Sequence, residues 1–211
     1  GTDGRVHYVD LGRLKPEAVP SREAIVRIVG DRLMGKPQSS PRLELLSRGA
    51  APEQASYDGP LWVDRLVVGG VPGTQHHRGY GAELTAMIDA RRTWLAGQDL
   101  GRFRDDARFE LRYSAVTELR RREVARLGRQ LEDETGFRHV PVAQGATIRG
   151  TIGRTIETPD GRYLAITSGR EIRLVPWSKP LERYRGQEIA GTMGVKQLLI
   201  GRQRGRIGPE R

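Results

Sequence analysis

Basic side chains at regular spacing carry the strongest chemical signal in this chain. Arg202, Arg204 and Arg206 alternate with Gln203, Gly205 and Ile207, so an extended backbone projects all three guanidinium groups from one side. Gly201, Gly205 and Gly208 would let that backbone come close to a ligand. A guanidinium forks onto phosphate oxygens through two N–H groups, and such a run therefore suits a polyanion. Arg122, Arg126 and Arg129 form a second set, three and four residues apart on one helical face. Glu118, Glu123 and Glu132 dilute it, and a solvated, self-paired helix face is its ordinary reading. Arg173 joins the candidate nucleic-acid contacts from within an alternating stretch, Glu171–Val175.

Catalytic constellations are missing by comparison. His76 and His77 invite a metal reading, but neighbouring residues on an extended chain point to opposite sides, and only His7 and His139 remain as further ligands. Gly30 and Gly35-Lys36 have the spacing of a phosphate-binding loop. The next residue is Pro37 rather than the Ser or Thr that would reach magnesium and open a helix, so a plain loop is expected. Asp105-Asp106 and Glu132-Asp133-Glu134 neighbour arginine-rich stretches and are expected to pair with them at the surface. No serine elbow and no complete nucleotide fingerprint is present. The chain is accordingly expected to be no enzyme, with no metal site and no cofactor.

These residues need elements to position them. Residues 5–11 alternate as a strand, Lys15–Ser21 reads as a loop, and Ala24–Val29 as a second strand. Leu33–Gly59 has little periodicity and reads as a linker or an ordered irregular loop. Leu61–Val68 fits a strand or a short helix equally. Gly81–Leu95 sets Leu84, Ile88 and Leu95 on one helical stripe with Trp94 at its edge. A second helix runs from the cap Ser114 to about Thr135, with Val116, Leu119, Val124, Leu127 and Leu131 apolar and Gly136 just past its end. Arg102–Arg112 either extends that helix or crosses over in extended form.

From Ala146 the period changes to two. Thr147–Ile156 is one strand or a bent pair, and Thr158-Pro159-Asp160-Gly161 is a turn. Tyr163–Thr167, Glu171–Val175, Glu188–Met193 and Gln197–Ile200 then complete a five-stranded barrel. Pro176 has no N–H to donate and is expected to stop its ladder, and Trp177 just beyond it to plug the barrel end. The expected fold is α+β: an N-terminal β element with linker (1–60), a central mainly helical region (61–140) and a small basic SH3-like or OB-like β-barrel (141–211).

Composition sets the bounds. The 211 residues include 27 Gly and no Cys, which favours many turns and excludes a disulfide framework and thiol–metal sites. No apolar run is long enough for a membrane span and no secretory signal opens the chain, so membrane insertion is not expected. Gly1-Thr2 reads as the start of an excised fragment. The net charge is +10, and residues 141–211 hold 13 Lys and Arg against 6 Asp and Glu, so +7 of it lies in the last third. That asymmetry attracts nucleic acid.

Glu171–Trp177 (EIRLVPW), Pro180–Gly186 (PLERYRG) and Gly201–Gly205 (GRQRG), in this order, resemble the C-terminal domain of unknown function of VirD-type conjugative relaxases, the relaxase and mobilization nuclease family. Asp3–Gly12, Trp62-Val63-Asp64-Arg65, Gly79–Glu83, Arg91–Leu95 and Glu118–Leu127 extend the likeness over most of the chain. Leu43–Tyr57 departs from the family pattern, as does the apolar Leu198-Leu199-Ile200 where an aromatic usually precedes the terminal glycine-arginine run. The resemblance implies a bacterial, cytoplasmic protein of conjugation whose nicking chemistry lies in a separate N-terminal domain. The implied role is accessory binding of transfer-origin DNA or of the nicked strand. Docking on the type IV secretion coupling protein is the alternative.

Overall fold

The computed structural model describes residues 25–29, 32–33, 36–37, 42–47, 54–69, 80–106 and 108–200. The expected strand at 5–11, His7, His76, His77 and the basic run at Arg202, Arg204 and Arg206 lie outside the described residues. The chain divides into two compact units, Gly1–Arg122 and Glu123–Arg211, and the protein is of mixed α+β class.

In the first unit, β1 (Ile25–Val29) pairs antiparallel with β4 (Arg42–Ser47), setting Val26 opposite Leu45 and Ile28 opposite Leu43. The stretch expected to be a linker or an ordered irregular loop therefore holds strands. Leu43 and Leu45 supply a weak alternation that becomes decisive only when a partner strand satisfies its backbone. β2 (Arg32–Leu33) and β3 (Lys36–Pro37) face each other as a tight hairpin, so Lys36 opens no helix. Residues 62–65 form a 3₁₀ turn leading into α1 (Leu66–Gly69), which resolves the strand-or-helix ambiguity in favour of helix. The cause is local: the Asp64 carboxylate accepts the Leu61 N–H at 2.8 Å, as a helix start requires.

α2 (Tyr80–Gly97) buries Leu84, Met87, Ile88 and Leu95, as its stripe predicts. β5 (Gly101–Phe103) and β6 (Phe109–Leu111) make a hairpin where a helix extension or crossover was expected, and the Phe103 and Phe109 rings meet edge to face. α3 (Ala115–Thr135) follows the expected bounds. Its first turns place Ala115 and Leu119 in the core of this unit, with Leu61, Val63, Val67 and the α2 stripe.

The second unit begins within α3. Gly136 takes φ 68° just past the helix and donates to the Glu132 carbonyl at 2.8 Å, a left-handed termination that glycine adopts without strain. β7 (Arg138–His139), β8 (Thr147–Thr158), β9 (Gly161–Ser168), β10 (Glu171–Pro176), β11 (Glu188–Met193) and β12 (Leu198–Ile200) form one sheet in the order β12-β11-β8-β9-β10-β7. All neighbours are antiparallel except β10 and β7. β8 does double duty. Its first half pairs with β11 and its second with β9, with a register shift between Ile152 and Thr155. Gly150 sits at this bend with φ 150°, where a Cβ would lie 2.3 Å from the Thr167 carbonyl oxygen.

Both faces of the sheet's middle are covered. On one, Leu127 and Leu131 of α3 pack on Ala165, Ile172 and Leu174. On the other, Ile148, Ile152, Leu164, Ile166, Val175, Ile189 and Leu198 enclose a second core with Leu181 from α4 (Lys179–Glu182). The expected five-stranded barrel is instead a bent six-stranded sheet. Its edges, β12 and β7, do not pair with each other among the described residues. Strands of three and two residues offer too few ladder bonds to close a barrel.

Pro176 departs from expectation in an instructive way. It is the last residue of β10, opposite Tyr163, and the ladder continues past it: the Trp177 N–H donates to the Arg162 carbonyl at 2.9 Å. Antiparallel alternation turns the Pro176 nitrogen away from β9, toward the edge that β7 does not reach, so no ladder bond is lost.

Candidate nucleic-acid interface

Arginine dominates the surface, and what each guanidinium touches decides what it can do. In the first unit most are committed. Arg91 is fully buried. It donates to Asp64 through Nε (2.7 Å) and a terminal nitrogen (3.2 Å), and to the carbonyls of Ala55 (3.2 Å), Tyr57 (2.7 Å) and Gly59 (2.8 Å). Its guanidinium carbon lies 4.6 Å from the Trp94 ring centroid. A charge out of water is tolerable only when paired and fully hydrogen-bonded, and this one is. Arg91 and Asp64 thus tie together the two motifs, Trp62–Arg65 and Arg91–Leu95, on which the sequence resemblance partly rests. Their role here is to hold residues 54–61 against α2.

Most other described arginines of this unit are paired as well, whereas the exposed Arg65 and Arg120 meet no described partner. Arg92 bridges Asp89 and the Val67 carbonyl, Arg102 and Arg104 share Glu110, Arg108 pairs with Asp106, and Arg112 with Asp99. The Arg104 and Arg102 guanidinium groups hold the Glu110 carboxyl below its usual range. A cleft of about 720 Å³ opens beside these residues, lined by Val68, Arg104, Asp105, Asp106 and Phe109 among others. It offers charges of both signs and no acid–base or metal-binding set.

The helical set predicted to grip phosphate behaves as its mixed charge suggests. Arg122 donates to Glu118 at 2.9 Å and approaches Asp58 at 3.5 Å, and Arg121 also holds Glu118. Hydrogen bonds from Arg121 and then Arg122 pull the Glu118 carboxyl down to about 2. Arg126 is half-buried and engaged, whereas Arg129 is exposed. Only Arg129 of the three faces no described partner.

The second unit differs. Arg173 is half-buried and bound to Glu171 at 2.6 Å; the same carboxylate holds Arg138, and together they keep it below the ordinary carboxylate range. Arg154 pairs with Glu134. Arg149, Arg162, Arg170, Arg183 and Arg185, however, meet no carboxylate at ion-pair distance among the described residues. Arg162 lies 3.9 Å over the Trp177 ring and Arg183 4.8 Å over the Tyr184 ring. Arg185 donates to the Thr155 hydroxyl at 2.8 Å.

Trp177 itself is half-buried against the core enclosed by the sheet, beside Tyr184 and Leu181. It follows the end of β10, but the open sheet gives it no barrel end to plug, and it lies under Arg162 instead. Sequence reasoning missed Arg162, Arg183 and Arg185. No spacing links Arg162 to Trp177, because the hairpin register alone brings them together. Arg91 did carry a signal: it occupies the apolar stripe of α2 at a core position, where a charge needs a buried partner.

His139 rests on α3 at Gly128, where an added Cβ would fall 2.2 Å from its Nδ1. Burial pushes its imidazole below the ordinary value, and the nearby Glu132 carboxylate pulls the other way. No group of three His, Cys, Asp or Glu side chains able to hold a metal occurs among the described residues. No described helix is long and apolar enough to cross a membrane.

Residues 31–207 match a family model described as "Protein of unknown function (DUF3363)". No curated protein and no solved structure matches the chain.

Proposed function

This chain belongs to the DUF3363 family, and we propose that it is the non-catalytic C-terminal region of a conjugative relaxase, acting as an accessory DNA-binding module in the bacterial cytoplasm. Its task is to hold transfer-origin DNA or the nicked strand while another domain of the parent protein performs the transesterification. In this reading the bent sheet is an incompletely closed small barrel of the SH3-like or OB-like kind, and neither metal nor cofactor is needed.

One observation carries the reading: the split between committed and uncommitted arginines. Uncommitted guanidinium groups collect on the second unit, on the strands and on the segment around α4. The same part of the sequence holds most of the net positive charge and leads into Arg202, Arg204 and Arg206. Guanidinium groups without carboxylate partners lose little when they turn to phosphate, because no internal ion pair is broken.

A titration of labelled duplex DNA at several salt concentrations tests it. Arg202, Arg204 and Arg206, at one phosphate each, contribute roughly −2.7 to the log–log salt slope, and their replacement by Gln flattens it by about that amount. The triple Arg122, Arg126, Arg129 to Gln changes it much less, since Arg122 and Arg126 are already engaged. An unchanged slope in the tail variant removes those arginines from the DNA role. A second reading, a docking platform for the type IV secretion coupling protein, draws support from the fully exposed Tyr113, the exposed Phe103 and the paired charges of α3. It predicts weak DNA binding throughout, and loss of transfer in cells when Tyr113 and Phe103 are changed.

A further inference from the structure

The β8–β9 hairpin and the segment after β10 meet at a patch built to hold a flat, anionic polymer. In the hairpin, Thr155 is opposite Leu164 and Glu157 opposite Arg162, and directly opposed residues share a face. Thr155 and Arg162 therefore project on the same side as core residue Leu164, one register step apart, about 7 Å along the strands. The segment 177–185 crosses this side. It brings Trp177 under Arg162, Arg185 onto Thr155, and Tyr184 with its overlying Arg183. Glu157 is directly opposite Arg162, yet the guanidinium is taken by the ring and not by that carboxylate.

Stacking on Trp177 does two things to Arg162. It fixes where the guanidinium sits, and it leaves the group half-exposed beside the exposed Arg183 and Arg185. A nucleobase is a flat ring that stacks on such a plane, and its phosphate suits the neighbouring Arg185. Bases in a duplex are already stacked on each other and cannot present a face, whereas an unpaired strand can. We propose that Arg162 on Trp177, with Arg185 on Thr155, forms a single-strand nucleic-acid site. The proposal rests on the nucleic-acid reading above and narrows it to one strand at one place.

Anisotropy titrations of the full chain with a labelled 20-nucleotide dT strand and with a 20-base-pair duplex test it. The single strand binds tighter than the duplex, and Arg162→Gln with Arg185→Gln weakens single-strand binding by about tenfold while leaving duplex binding within twofold. Arg162→Lys keeps the charge but not the plane, and it loses most of that tenfold. Arg185 is exposed, so Arg185→Gln alone shows the same selective loss should the double variant fail to fold. Unchanged single-strand binding in the folded variants overturns the site while the general nucleic-acid reading stands. Equal loss on both ligands overturns the single-strand assignment and leaves a phosphate patch. A wild-type chain that binds neither ligand at low salt overturns the broader reading as well.

Discussion

Arginine serves opposite ends in the two units. In the first, Arg91 is fully enclosed and spends its donors on Asp64 and three carbonyls, and Arg102, Arg104, Arg121 and Arg122 answer carboxylates nearby. In the second, the buried charge is a carboxylate, Glu123, which accepts from the Tyr163 hydroxyl at 2.9 Å, and several arginines lean on rings or a hydroxyl instead. An arginine count cannot separate the two cases. What separates them is whether the fold has already supplied an anion. A committed guanidinium is part of the scaffold, and an uncommitted one is available to a partner.

The sharpest way to break this comparison is at Asp64. Asp64→Ala leaves Arg91 buried without its counter-ion, and stability of the first unit falls by about 3–5 kcal/mol. Hydrogen exchange locates the loss: amides of α2 exchange faster, while those of β9 and β10 hold their protection. Equal loss in both units would contradict a scaffold role confined to the first.

Trp177→Ala comes next. Removing a ring that packs against the core holding Leu181 costs about 3 kcal/mol by the usual scale for large truncations. Trp177→Phe keeps most of the packing and stays within about 1.5 kcal/mol. A melting temperature unmoved by the alanine variant would make Trp177 only a perch for Arg162, not part of the core.

The smallest expected effect sharpens the comparison on the side of apolar packing. Gly128→Ala should gain about 1 kcal/mol if helix propensity alone counted. Its methyl group would instead run into the His139 ring, so chemical denaturation shows a net loss of about 1–2 kcal/mol. Adding His139→Ala removes the clash, and in that background Gly128→Ala turns neutral or stabilising. Stabilisation in the wild-type background would mean that the ring moves aside at no cost.

Much of the architecture was legible beforehand, for reasons tied to particular residues. α3 shows a clean apolar stripe and a glycine just past its end, and it forms within the expected bounds. β9, β10 and β11 alternate with turns that only a few residue types can make, so their existence and order follow from local rules. β4 escaped notice because Leu43-Glu44-Leu45-Leu46 is a mixed pattern that waits on β1 to become a strand. The hairpin of β5 and β6 was hidden by charges that point to solvent from both strands.

The amino-acid order by itself determined the α+β class, the approximate bounds of α2 and α3, the strand sequence from β8 to β12 and the concentration of positive charge toward the end of the chain. These depend on periodicity, capping and turn chemistry, all read within a few residues. Tertiary structure alone decided that Arg91 belongs to Asp64, that Arg122 also reaches Asp58, and that Arg162 sits over Trp177. It also decided that the sheet bends around its core while its short edge strands stay unpaired with each other. The reason is reach. A guanidinium on a long side chain takes whichever anion, carbonyl or ring the folded backbone sets within a few ångströms, and most of those partners are far away along the chain.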